Sequence, residues 1–137
     1  MMLELLVATG LVVIVVLIHG AGITTLTRVL QFRLQAEESH HFTFTRAIFI
    51  LALVLSLFVL HGIQIWIFAG SYVWLHAVPD LETGVYFSTI TYATIGYADM
   101  HIVKAWRLVA AIEGVCGVIL LGWSTAFLVS VVARLRK

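Results

Sequence analysis

Charge is what this chain is shortest of. Only 11% of its 137 residues are Asp, Glu, Lys or Arg, against about 25% in an ordinary soluble domain, so lipid is the expected solvent. A net charge of +1 supplies no basic surface for neutralising phosphates, which excludes nucleic acid as an expected partner. The single cysteine, Cys116, lies in an apolar run and permits no intrachain disulfide. The single proline, Pro79, falls in a turn at His76 to Thr83. No span carries arginine at every third position, so a voltage sensor built that way is not expected. Nucleophile–base arrangements, phosphate loops and cofactor motifs are also missing, which predicts a protein that is not an enzyme and holds no cofactor.

What is present is apolar length. Hydrophobic residues make up 62% of the chain, with a mean hydropathy of +1.09. Three stretches reach the ~20 residues needed to cross ~30 Å of hydrocarbon: Leu3 to about Thr27, Ala47 to about Leu75, and Ala105 to Val132. The N-terminus lacks the basic start of a signal peptide, so the first stretch is expected to be a retained helix. The segment 28–46 reads as a polar loop or as an interfacial helix carrying Val29, Leu30, Phe32 and Leu34. Residues 85–92 are too short and too polar to cross, and predict a re-entrant half-helix. Irregular backbone at membrane depth is tolerated only where it is buried in protein or lines water. The expected fold is therefore an all-α, single-domain membrane protein. It divides into a first span (1–27), a connecting segment (28–46), an outer helix (47–75), an outer turn with half-helix and loop (76–104), and an inner helix (105–133).

Basic residues set the expected orientation. Arg28, Arg33 and Arg46 precede the second span, and Arg134, Arg136 and Lys137 follow the third. Three spans place both groups on one side, the cytoplasmic one, with the N-terminus outside. Trp66, Tyr72, Trp74 and Trp106 are expected in the outer aromatic belt. The C-terminus follows the third span closely, which predicts no cytosolic ligand-binding domain.

The segment Thr91-Tyr92-Ala93-Thr94-Ile95-Gly96-Tyr97-Ala98-Asp99 has the chemistry of a cation filter. A pore dehydrates a small cation by replacing its water shell with rings of oxygens. Aligning successive carbonyls needs left-handed residues among ordinary ones, and Gly96 adopts φ > 0 without a Cβ clash. Thr94 can add a hydroxyl ring, while Ile95 and Tyr97 point away from the axis and brace the strand.

Thr94 to Asp99 resembles the potassium-channel signature T-V/I-G-Y-G-D, with Ala98 in place of its second glycine. Tyr86 to Thr91 resembles the family's pore helix, Gly70-Ser71-Tyr72 the end of its outer helix, and Ala105 to Ala110 the start of its inner helix. The resemblance spans about Ala47 to Val132 and leaves out the first span. It implies a homotetramer conducting K+ passively, with K+ ions in a filter formed by Thr94, Ile95, Gly96, Tyr97 and Ala98. It also implies Asp99, Tyr86 and Glu113 as filter supports, with Tyr86 bonded to Asp99. Gly117 stands at the spacing of a gating hinge, and Val118, Leu121, Thr125 and Val129 line the cavity. Ala98 opens an alternative, a weakly selective channel or one for another monovalent cation.

A second alternative is a non-conducting or proton-handling membrane protein built on Glu113, His19 and His61, ionisable residues inside the spans. Glu113 reads either as a carboxylate behind the filter or as a hydrogen-bonded packing group. His19 and His61 read as interhelical glue or as proton or metal ligands. Gly117 reads as a hinge or a close-packing site.

Overall fold

The computed structural model describes residues 1–36, 43–96 and 102–135. Four α-helices make up nearly all of it: α1 (Met2–Ala36), α2 (Thr43–Trp74), α3 (Leu81–Tyr92) and α4 (Arg107–Leu135), with a 3-10 turn at Lys104–Trp106 leading into α4. Among the described residues there is no strand. Three helical stretches are long and apolar enough to cross a membrane, Met2–Phe32, Ala47–Trp74 and Lys104–Arg134. At 12 residues, α3 is only ~18 Å long and cannot cross.

Packing fixes the directions. Ala8 and Val15 of α1 share a buried cluster with Phe68 and Tyr72 late in α2, Phe87 and Tyr92 of α3, and Val109 early in α4. At the opposite end Leu30 packs with Leu53 and Val131. Helices α1 and α4 therefore run parallel, with α2 antiparallel to both, and the Leu75–Asp80 turn lies at the same end as the start of α1. Much apolar surface stays uncovered in the single chain, Phe58 being 77% exposed and Val129 64%. A core cannot be the destination of such side chains; lipid or further copies of the chain can.

Local chemistry explains the helix ends. Helix α2 stops in a Schellman arrangement, with Ala77 N–H donating to Tyr72 O at 2.8 Å and His76 N–H to Val73 O at 3.0 Å. The left-handed residue is His76, φ +53°, where glycine is the usual choice. Helix α3 starts at an Asp80 N-cap, whose carboxylate accepts from Thr83 N–H at 2.8 Å and from the Thr83 hydroxyl at 3.1 Å. Those bonds, the backbone N–H first, hold the Asp80 carboxyl below its ordinary pKa.

Three expectations change. Helix α1 does not end near Thr27 but runs on to Ala36, because Leu30 keeps the buried stripe going past Arg28. The half-helix begins at Leu81 rather than Val85, set by the Asp80 cap. Tyr72 is not a belt residue: it is fully buried, its hydroxyl turned to Glu113.

Candidate functional site

The site grows from the C-terminal end of α3. Helix α3 is held against α2 at two points. An added Cβ on Gly84 would stand 3.2 Å from the Ala69 carbonyl, so glycine permits this close crossing. The Ser88 hydroxyl reaches the Ile65 carbonyl at 3.0 Å. Beyond Tyr92 the chain turns back on the helix. Ala93 N–H donates to Thr89 O (3.0 Å), Thr94 N–H to Thr91 O (3.0 Å), and both Ile95 and Gly96 N–H to Ile90 O (2.8 and 3.1 Å). These amides satisfy the carbonyls that a helix end leaves unpaired. The carbonyls of residues 93–96 accept no backbone hydrogen bond among the described residues.

Backbone conformation there alternates. Gly96 has φ +59°, the left-handed value expected of it, and Thr94 has φ +59° as well. The sequence gives no reason to expect the second, since a left-handed residue with a Cβ costs ~1–2 kcal/mol. Thr94, Ile95 and Gly96 are all exposed in the single chain. Tyr97, Ala98 and Asp99 lie outside the described residues, and so does the expected Tyr86–Asp99 bond. Tyr86 itself is on the exposed side of α3.

On α4, Val118, Leu121, Thr125 and Val129 recur every three or four residues along one exposed face. Thr125 returns its hydroxyl to the Leu121 carbonyl at 2.9 Å. Gly117 faces the other way, onto α3, where an added Cβ would lie 2.2 Å from the Tyr92 carbonyl oxygen. At this position α4 touches the α3 backbone directly.

Two buried polar clusters sit behind α3. In the first, both Glu113 carboxyl oxygens are engaged, one by the Tyr72 hydroxyl and one by the Ser88 hydroxyl, each at 2.5 Å. Glu113 thus joins α2, α3 and α4 with no exposed surface of its own.

The second cluster closes on itself. Gln64 Nε2 donates to His19 Nδ1 at 2.9 Å, and Tyr92 Oη donates to Gln64 Oε1. His61 Nδ1 is 2.9 Å from Tyr92 Oη, and His61 Nε2 is 2.9 Å from Ser124 Oγ. Ser124 Oγ lies 3.4 Å from His19 Nε2. Donor counting fixes the rest. Because Tyr92 gives its proton to Gln64, His61 Nδ1–H donates to Tyr92. Ser124 then donates to His61 Nε2, and His19 Nε2–H donates to Ser124. Every member donates once and accepts once, each imidazole carrying one N–H.

Sequence reasoning places His19, His61 and Glu113 as buried polar groups but misses their partners Tyr72, Ser88, Tyr92 and Ser124. Hydroxyl residues on apolar helices carry no periodic signal, and they often bond back to their own helix, as Thr24, Thr25 and Thr27 do here. No group of three His, Cys, Asp or Glu able to hold a metal ion occurs among the described residues.

Residues 47–134 match the sequence model of a family described as an ion channel. Helix α1 precedes the matched stretch. No curated protein and no solved structure was found to match.

Proposed function

This chain belongs to the ion-channel family, and we propose that four copies of it surround a pore that passes potassium ions passively through a membrane. One observation carries the reading. Two left-handed residues, Thr94 and Gly96, follow a half-helix onto whose last carbonyls the amides of residues 93–96 fold back, and the carbonyls of 93–96 accept no backbone hydrogen bond among the described residues. A single copy offers one edge of oxygens, whereas four arranged about an axis offer rings. The negative end of the α3 dipole beside that edge favours a cation. The exposed face of α4 at Val118, Leu121, Thr125 and Val129 is suited to an inner cavity, and the apolar surface of α2 to lipid. The charge pattern favours an N-terminus outside and a cytoplasmic C-terminus.

Gly96→Ala tests the filter. A Cβ at a left-handed position in four subunits turns the carbonyls from the axis, and a dehydrated cation loses ligands it cannot replace. Potassium flux from reconstituted vesicles should fall by at least an order of magnitude, with the tetramer intact by native mass spectrometry. Wild-type flux through an intact Gly96→Ala tetramer would remove this segment as the filter. Reversal potentials in potassium against sodium gradients decide between a potassium-selective pore and the less selective one that Ala98 allows.

A further inference from the structure

Tyr92 is gripped at both ends. Its carbonyl lies under Gly117 so closely that no Cβ fits between them, and its hydroxyl sits in the closed hydrogen-bond ring. Two residues further on comes Thr94, the first left-handed position of the filter segment. Four members of the ring, His61, Gln64, Tyr92 and Ser124, fall within the matched stretch 47–134. The fifth, His19, belongs to α1, outside it. His19 and Gln64 are both fully buried, so neither has water to fall back on. The His19 ring also lies against Trp123 of α4 and against His61, with centroids 5.3 Å apart in each case.

We propose that His19 is a positioning residue for the filter: from the helix outside the ion-channel module, it fixes Gln64, and through Gln64 the Tyr92 hydroxyl and the carbonyl end of the pore helix.

The chemistry is specific about how this works. Gln64 can accept the Tyr92 hydroxyl only while its carboxamide is turned with Oε1 toward Tyr92, which points Nε2 at α1. His19 Nδ1 is the acceptor that holds the amide in that orientation. Without it, Nε2 is a buried donor lacking its partner, and nothing holds the amide against rotation any longer. Rotation presents N–H to Tyr92, whose hydroxyl must then give up its present acceptor. The disturbance reaches Tyr92 without any contact between α1 and the filter segment being required. A buried network of this kind is worth more intact than the sum of its separate bonds.

The inference rests on the conducting pore proposed above, and its test separates the two. Wild type, His19→Leu, Tyr92→Phe, the double variant and His19→Asn are reconstituted at equal tetramer content and recorded under bi-ionic conditions. Because His19→Leu and Tyr92→Phe cut the same chain of bonds, each should change the potassium-to-sodium permeability ratio or the open-channel current by about fivefold. The double variant should change it no further than either single variant. His19→Asn returns an acceptor oxygen near the place of Nδ1 and should restore wild-type values, which a loss of packing alone would not allow. Additive effects of His19→Leu and Tyr92→Phe, or a wild-type ratio and current in His19→Leu, would overturn the inference while leaving the channel standing. If His19→Leu does not assemble, Tyr92→Phe must still shift the readout and His19→Asn must not; the reverse overturns the inference. No cation current from wild type would remove the proposed function and this inference with it.

Discussion

The two polar clusters behind the pore helix are connected on different plans. Around Glu113 the plan is a hub, with Tyr72 and Ser88 both bonded to one carboxyl group. Around Tyr92 it is a ring of five residues, each joined to two others. Removing the hub takes the carboxyl from both spokes at once and leaves Ser88 only the Ile65 carbonyl. Removing one ring member leaves the other four in an unbroken chain. The plans differ in origin too, since the hub lies entirely within the matched stretch 47–134 while the ring is completed from α1. One carboxyl thus joins α2, α3 and α4 within the module, whereas the polar link to the additional helix runs through several residues.

The largest effect should come from the hub. Glu113→Ala strands the buried Tyr72 hydroxyl, leaves Ser88 only its bond to the Ile65 carbonyl and opens a cavity, so thermal unfolding in detergent should report a loss of about 2–5 kcal/mol. Glu113→Gln keeps an acceptor oxygen and should lose less than half as much. Gly117→Ala follows. With a Cβ 2.2 Å from the Tyr92 carbonyl, α3 and α4 must separate, at about 1–3 kcal/mol of overpacking cost. Gly114→Ala, whose Cβ would meet the Thr91 carbonyl at an ordinary 3.5 Å, should unfold at the wild-type temperature. A smaller loss should come from the ring: Ser124→Ala removes its bonds to His61 and His19 and should cost about 0.5–1.5 kcal/mol. A Ser124→Ala loss equal to that of Glu113→Ala would erase the distinction between hub and ring.

Hydropathy made the three long helices readable, because each span must satisfy its backbone internally and so shows as a long apolar run. The short helix was readable in type and in its C-terminal end. Its start was obscured, since Pro79, Thr83 and Gly84 resemble a turn until Asp80 is recognised as a cap. At Gly96 a side chain's absence announces the backbone conformation; at Thr94 nothing does, because threonine is not a left-handed residue by preference. Glu113 and the two span histidines stand out against apolar neighbours, but their partners come from helices as far away in sequence as His19 is from Ser124. No local pattern encodes such a pairing. Gly117 was visible as a small residue on a span, whereas the carbonyl it makes room for emerges only when α3 and α4 are packed together.

Helix α1 also acts as a ruler. It runs unbroken from Met2 to Ala36 and contains no proline at which to kink. Its first charged side chain and the next, Glu4 and Arg28, stand ~36 Å apart along the axis, which suits ~30 Å of hydrocarbon crossed at a tilt of ~20°. A rod of that kind meets a thinner bilayer by leaning further, since neither charge enters hydrocarbon cheaply. His19 lies ~22 Å down the axis from Glu4 and ~14 Å above Arg28, away from both ends. A change of tilt, the general response of a long apolar helix to a thinner bilayer, would shift the imidazole that bonds Gln64 and Ser124.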